Sequence, residues 1–404
     1  MKTRQSYLSR LIAFRNKSPI KVITGVRRCG KSSLFDLFED YLTSDGVPKD
    51  SIIRLNFESL EFDSIRDYKS LHDHITARQT REGTTYILLD EIQHVSQWER
   101  AINSLRLDRH NDIYITGSNA WLLSSELSTL LSGRYVEIKM LPLSFREFLD
   151  FNDYDKTNDI SEYFSKFIQN GGFPGITELR EQPSTIGPFL SGIYNTIIMK
   201  DVVQRGTVRD PALLESVVRF LASNIGNLIS TKKISDYLTS SARKTTSETI
   251  DNYIDLLEKS FIIYRARRFD LKGKQHLKTN EKFYFIDTGI RNELIGHRND
   301  DYGYVLENIV YFELLRRGFE VSVGKIDALE VDFVATKPDK VMYIQVTASM
   351  LSEETKEREL KPLQKIQDYH ERLILTMDRT PTTDHNGIRI IYIPDFLLSV
   401  DAYE

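Results

Sequence analysis

Two short stretches hold the residue types that phosphate chemistry needs. The first, Gly25, Val26, Arg27, Arg28, Cys29, Gly30, Lys31 and Ser32, fits the spacing G-x-x-x-x-G-K-[ST], and Ser33 follows it as a further candidate nucleotide contact. Gly25 and Gly30 allow backbone conformations and close approaches that a side chain forbids, so successive N–H groups can turn toward phosphate oxygens. Lys31 supplies a point charge for β- and γ-phosphates, and Ser32 a hydroxyl for Mg²⁺. The second stretch ends in Asp90 and Glu91. Asp90 is suited to hold Mg²⁺ through its water shell, and Glu91 to orient and polarise an attacking water. Together they predict a Mg²⁺-dependent nucleoside triphosphatase; the loop reads phosphates and leaves the base open.

The flanking residues supply the elements that position these groups. Ile20, Val22 and Ile23 lead into the loop as a strand, and Leu34, Phe35, Leu37 and Phe38 leave it with helical spacing. Tyr86, Ile87, Leu88 and Leu89 form an unbroken apolar run, as in a strand of a parallel sheet covered on both faces. Its two carboxylates then fall at the C-terminal edge, where open α/β sheets place ligands. A further short strand from Asp112 runs into Thr116, Gly117, Ser118 and Asn119. Ser118 or Asn119 is the candidate sensor of the terminal phosphate.

The loop GVRRCGKSSL, the strand LLDEIQ, the stretch ITGSNA and the following LSGRYVEIKMLPLSFREF resemble the AAA+-related ATPases of bacteria and archaea. That resemblance implies ATP as the nucleotide. By the same resemblance, Asn56 at the end of the strand Ile52–Glu58 would hold the catalytic glutamate inactive until a partner binds. Arg134, just before the strand Val136–Met140, would be a finger for the neighbouring subunit's nucleotide, which implies a homo-oligomer.

Composition bounds the rest. With 404 residues, 40% hydrophobic and 28% charged, the chain is expected to be a soluble protein of two or three domains. A net charge of −4 argues against a surface coated with basic charge, while leaving room for a local basic patch. The single cysteine, Cys29, excludes an internal disulfide. With no signal peptide or membrane-length apolar run, a cytoplasmic location is expected. Cys29 reads as a small tolerated residue in preference to a redox-sensitive thiol.

The expected fold class is α/β: a P-loop NTPase (AAA+-like) parallel sheet over 1–142, a helical lid over 143–209, a winged helix-turn-helix over 210–290 and a C-terminal α/β restriction-endonuclease-like domain over 291–404. Ser144 and Glu147 form a capping box at the start of the lid, which breaks at Gly171–Pro174; Thr245 and Glu248 form one for the helix 247–259. Residues 231–282 hold twelve Lys/Arg against seven Asp/Glu. Arg265, Arg267, Arg268, Lys272 and Lys274 gather in the expected wing, a footprint for DNA. Glu248, Asp251, Asp255 and Glu258 form an acidic stripe on the third helix, which favours backbone contact through the wing, or a protein-facing role, over base readout.

The last segment resembles the PD-(D/E)xK nuclease core. Glu307, Asp332 and Gln345 converge as candidate metal ligands, with Glu330 and Thr347 on the same strand faces. Gln345 and Thr347 stand where that family carries an acid and a lysine, which points to an inactive nuclease unless Lys325 or Lys340 reaches in. The leading expectation is an ATP-hydrolysing AAA+-type switch or motor acting on or at DNA, with no membrane partner. The alternatives are an ATP-gated DNA nuclease and a slow-turnover signalling scaffold that binds a protein partner.

Overall fold

β1 (Ile20–Thr24) is buried along its whole length because parallel strands flank it on both sides. The computed structural model describes residues 2–80, 82–123, 133–155, 159–206, 208–241, 243–277, 280–379 and 383–399. The chain forms two units, Met1–Pro142 with Lys259–Phe261, and Leu143–Glu258 with Ile262–Glu404.

In the first unit β1 joins β2 (Ile52–Asn56), β3 (Thr85–Asp90), β4 (Asn111–Gly117) and β5 (Tyr135–Lys139) in a sheet of order β2-β3-β4-β1-β5. All neighbours are parallel, so every strand presents its C-terminal end to one edge. β4 lies between β1 and β3, which places its tip between the glycine loop and the carboxylate pair. Among the described residues four α-helices accompany the sheet: α1 (Gln5–Ala13), α2 (Lys31–Ser44), α3 (Tyr68–Thr76) and α4 (Trp98–Leu105).

The inner strands β1, β3 and β4 are buried on both faces because both are covered, whereas the edge strands β2 and β5 are partly exposed. Ile113 and Ile115 of β4 join Leu71, Ile75, Trp98 and Ile102 of α3 and α4 in one cluster. Tyr114, between them, turns the other way and meets Phe38 of α2 at a ring distance of 4.7 Å. Leu34, Phe35, Phe38 and Leu42 give α2 its buried stripe.

The second unit begins with α5 (Phe145–Phe151), whose Ser144 and Glu147 exchange the expected capping-box hydrogen bonds. α6 (Ile160–Asn170) stops at Gly171, which has φ 80°, and the next residue, Gly172, donates its N–H to Asp287 at 2.6 Å. A Cβ on Gly171 would lie 2.1 Å from that carboxylate, so the glycine is required by close approach as well as by conformation. α7 (Ile186–Thr196) continues into a π-helical stretch, Ile197–Val203. α8 (Pro211–Ser223), α9 (Thr231–Ser240) and α10 (Ser247–Lys259) follow. The cap of α10 lies one residue beyond the expected pair: Thr246 Oγ1 accepts from Thr249 N at 3.2 Å, and the Thr245 hydroxyl has no partner among the described residues.

β6 (Ile263–Ala266) pairs antiparallel with β9 (Lys282–Phe285). β7 (Arg268–Asp270) and β8 (Gln275–His276), the expected wing, do not stand free. β7 runs parallel to β10 (Glu320–Ile326), so the pair forms one edge of an eight-stranded sheet. That sheet continues through β11 (Leu329–Lys337), β12 (Lys340–Thr347) and β13 (Glu371–Thr376), and ends with β14 (Thr383–His385) outside β15 (Ile388–Tyr392).

Before it come α11 (Thr288–Ile295), capped by Asp287, and α12 (Tyr302–Arg316), which closes at Gly318 with φ 81°. α13 (Glu353–Gln364) links β12 to β13; α14 (Ile393–Leu398) follows β15. Among the described residues no helix is long and apolar enough to cross a membrane.

Candidate functional site

The loop between β1 and α2 needs its glycines for separate reasons. Gly25 has φ 154°, and a Cβ there would fall 2.2 Å from the Met140 carbonyl oxygen. Gly30 has φ 103° and caps α2 in the left-handed region. Lys31, the first residue of α2, is buried; its Nζ donates to Gly25 O at 3.0 Å and Val26 O at 3.2 Å and lies 3.6 Å from Glu91 Oε1. Arg27 pairs with Glu58 at 3.0 Å, whereas Arg28, Ser32 and Ser33 are exposed. Burial pushes the Cys29 thiol up, against the pull of Lys31 and Arg4, so it stays protonated and inert.

Asp90 and Glu91 sit where β3 ends, both buried. Burial raises the Asp90 carboxyl, with the Ser32 and Thr116 hydroxyls opposing. Thr116 Oγ1 donates to Asp90 Oδ1 and accepts from Glu91 N, the latter at 3.0 Å. Glu91 is left-handed, with φ 53° and ψ 46°, a conformation that costs a non-glycine residue about 1–3 kcal/mol. Burial works to raise its carboxyl too, but Lys31 and Arg27 outweigh burial and hold it below the usual range. Glu91 is therefore ionised, as a group that orients water must be. Gln93 Nε2 donates to Glu91 Oε2.

Ser118 and Asn119, beyond the tip of β4, are fully buried. Asp90 Oδ2, Ser118 Oγ and both amide atoms of Asn119 have no hydrogen-bond partner among the described residues. Buried polar atoms without partners are rare. These gather at the strand end beside the loop, and a triphosphate with Mg²⁺ carries the complementary groups. The residues present fit such a ligand.

Two residues named by resemblance lie elsewhere. The Asn56 amide oxygen accepts from Glu58 N at 3.0 Å, so the side chain folds onto its own loop and Gln93 takes the place beside Glu91. Arg134 is exposed at the N-terminal end of β5, its carbonyl bonded to Ile20 N at 2.9 Å. That end of the sheet is opposite the glycine loop, so Arg134 does not serve its own chain's site. Thr116 and Gln93 were not singled out by sequence reasoning, although Thr116 lies inside the ITGSN stretch.

The second cluster differs from its expectation. Glu307 of α12 and Glu330 and Asp332 of β11 surround the buried ammonium of Lys282, at 2.8, 2.7 and 3.3 Å. Burial lowers the Lys282 pKa, but Glu307, Asp332 and Glu330 outweigh it and raise the value overall. Burial pushes Glu307 up to about 7, with Lys282 opposing. Gln345 is committed twice, accepting from Asp332 N at 2.7 Å and donating to Glu359 at 2.9 Å. Glu307, Asp332 and Gln345 therefore do not form an open metal site, because the Lys282 ammonium lies against both carboxylates and Gln345 is engaged elsewhere. Among the described residues no group of three or more His, Cys, Asp or Glu is arranged to hold a metal ion. The lysine that reaches in is Lys282, while Lys325 and Lys340 approach Asp270 and Glu371 instead.

The basic footprint is also reduced. Arg265 is bonded to Asp255, Glu258 and Glu281 at 2.9, 2.8 and 3.2 Å, so it is taken up by two acids of the α10 stripe and is not free for phosphate. Lys272 pairs with Asp327 at 2.6 Å, while Arg267 and Lys274 are exposed and Arg268 is half-buried.

Comparison with known proteins places this geometry. Residues 17–149 match the AAA domain family, and residues 161–301 match a domain of unknown function (DUF8612). An uncharacterized protein of Haemophilus influenzae is 43% identical over 402 residues, covering 98% of this chain and 99% of its own. An uncharacterized protein of Methanocaldococcus jannaschii is 33% identical over 362 residues, 86% of this chain and 78% of its own. Among solved structures, the Walker-type ATPase of Pyrococcus abyssi aligns with TM-score 0.52 at 15% identity, over 73% of this chain and 96% of that one, a likeness of fold. The chain belongs to the family of the Haemophilus and Methanocaldococcus proteins, and it opens with an AAA domain of the P-loop ATPase type.

Proposed function

We propose that this protein is a Mg²⁺-dependent ATP hydrolase of the AAA+ type, a cytoplasmic nucleotide-driven switch that acts on or at DNA. The observation that carries the reading is the convergence of Lys31, Ser32, Asp90 and Glu91 on one sheet edge, beside buried polar atoms without partners. Lys31 and the loop N–H groups hold the phosphates. Ser32 and Asp90 hold Mg²⁺, which when bound offsets charge on the phosphate oxygens. Ionised Glu91 orients the attacking water, and Ser118 and Asn119 read the terminal phosphate. Arg134 acts only in trans, which makes the working form a homo-oligomer.

The finer parts rest on the second unit. Three helices, α8 to α10, followed by the β6–β9 pair favour a winged helix over 210–290, after a helical lid over 143–209. The succession α12, three antiparallel strands, α13 and a parallel strand favours a nuclease-like core over 291–404. Lys282 at its centre and the committed Gln345 favour an inactive one over an ATP-gated nuclease. DNA contact would fall to Arg267, Arg268 and Lys274 and reach the backbone only.

ATP turnover by the wild type and Glu91→Gln, with and without duplex DNA, tests the reading. Glu91→Gln is expected to bind nucleotide and lose at least about a hundredfold in turnover; turnover at the wild-type rate overturns the assignment. Stimulation by DNA supports the DNA arm, and indifference removes it while leaving the hydrolase.

A further inference from the structure

Arg4, the N-cap residue of α1, does not cap its own helix with its side chain. Its guanidinium turns inward, and the residue is only 3% exposed. Nη1 donates to Cys29 O at 3.0 Å and Leu141 O at 2.8 Å, and Nη2 to Pro142 O at 3.3 Å. Its charge lies 4.6 Å from the centre of the Tyr7 ring, and the Tyr7 hydroxyl accepts from Leu141 N at 3.1 Å. One planar cation therefore joins the glycine loop to the last two residues before the chain leaves the first unit. Arginine suits the task, because its rigid fork reaches several carbonyls at once.

The bond to Cys29 bears directly on phosphate recognition. In a trans peptide the C=O of one residue and the N–H of the next point in opposite directions. Holding the Cys29 carbonyl toward Arg4 therefore fixes the Gly30 N–H on the other side of that peptide plane. Arg28 at φ 62° and Gly30 at φ 103° flank this plane, and Cys29 N donates to Val26 O at 3.3 Å on its other side. The same segment is bolted down a second time, by the Met140 N–H on Thr24 O at 2.7 Å and by the close approach of Gly25 to Met140.

We infer that Arg4 is a positioning residue of the nucleotide site. It sets the Cys29–Gly30 peptide so that the loop presents Gly30 N–H to a phosphate, and it ties that setting to the Leu141–Pro142 exit segment. The inference rests on the nucleotide-binding reading above, and its test separates the two.

The experiment measures the Kd for ATP in the presence of Mg²⁺, turnover at saturation, and amide hydrogen exchange over residues 29–32 and at Leu141, in the full chain. Arg4→Met is expected to raise Kd about tenfold or more while turnover at saturation stays within about twofold, because Asp90, Glu91 and Thr116 are untouched. Nucleotide should slow exchange at Leu141 in the wild type and fail to do so in Arg4→Met, which a residue that merely stabilises the fold would not produce. Arg4→Lys keeps the charge but cannot bridge both segments, so it should raise Kd by less and quicken exchange over 29–32; it is the deciding variant should Arg4→Met not fold. Wild-type Kd in folded Arg4→Met, or unchanged Kd and exchange in Arg4→Lys, overturns the inference. A wild type that binds no ATP overturns the nucleotide reading instead.

Discussion

Thr116→Val removes one hydroxyl and keeps the shape of the side chain, so it isolates what that hydroxyl does for the two acids. In the native protein Thr116 Oγ1 donates to Asp90 Oδ1 and accepts from Glu91 N, all three residues being buried. The substitution leaves a carboxylate oxygen and a backbone N–H unpaired, each costing about 1–3 kcal/mol, so a stability loss of about 2–6 kcal/mol is expected. The effect on rate arises separately. Glu91 is held left-handed at φ 53°, and without its hydrogen bond the strain of about 1–3 kcal/mol is released into other backbone conformations. At 1.4 kcal/mol per tenfold, turnover at saturation should fall about ten- to a hundredfold, with little change in nucleotide affinity. Thr116→Ser keeps both bonds and should recover most of the rate. Urea unfolding and single-turnover hydrolysis at saturating ATP read the two effects. Turnover within twofold of wild type in a folded Thr116→Val chain would refute the argument that this hydroxyl fixes Glu91.

Two further expectations concern buried charge in the second unit. Burial pushes the Asp287 carboxyl up to about 6, against N–H donors from Gly172, Ile290 and Gly289. Its folded pKa exceeds its unfolded value, so the stability it contributes is present below about pH 4 and is lost as pH rises through 6. The stability difference between wild type and Asp287→Asn should shift by about 3 kcal/mol between pH 4 and pH 7, in the direction of a weaker wild type at pH 7; a flat difference in urea titrations would count against it. Lys282→Met leaves Glu307, Glu330 and Asp332 without their shared cation and should cost about 3–5 kcal/mol at pH 8. The loss should shrink toward pH 6 as Glu307 takes up a proton, whereas a pH-independent loss in thermal melts would show that the ammonium is not their counter-ion.

What could be read from the sequence follows from how locally each feature is determined. The glycine loop, the carboxylate pair and the Ser144–Glu147 cap are contiguous, and their residue types dictate their geometry. Thr116 depends on β4 lying between β1 and β3 in a given register, which no local pattern specifies. Lys282 meets Glu307, Glu330 and Asp332 across 25 to 50 residues of chain, so composition registered its charge without registering its partners. Arg265 was misread for the same reason: a cation in a basic stretch looks free until Asp255, Glu258 and Glu281 are brought around it. Asn56 shows the limit of resemblance, since an asparagine at the expected position satisfies its own turn instead.

Because β7 and β8 complete the sheet begun by β10, and Lys282 on β9 is enclosed by acids from α12 and β11, the stretches before and after residue 291 are interlocked. Cutting the gene at 291 would produce a fragment with a raw strand edge and an unbalanced knot of carboxylates. Recombination that traded the C-terminal segment between relatives would have to bring β7, β8 and β9 with it.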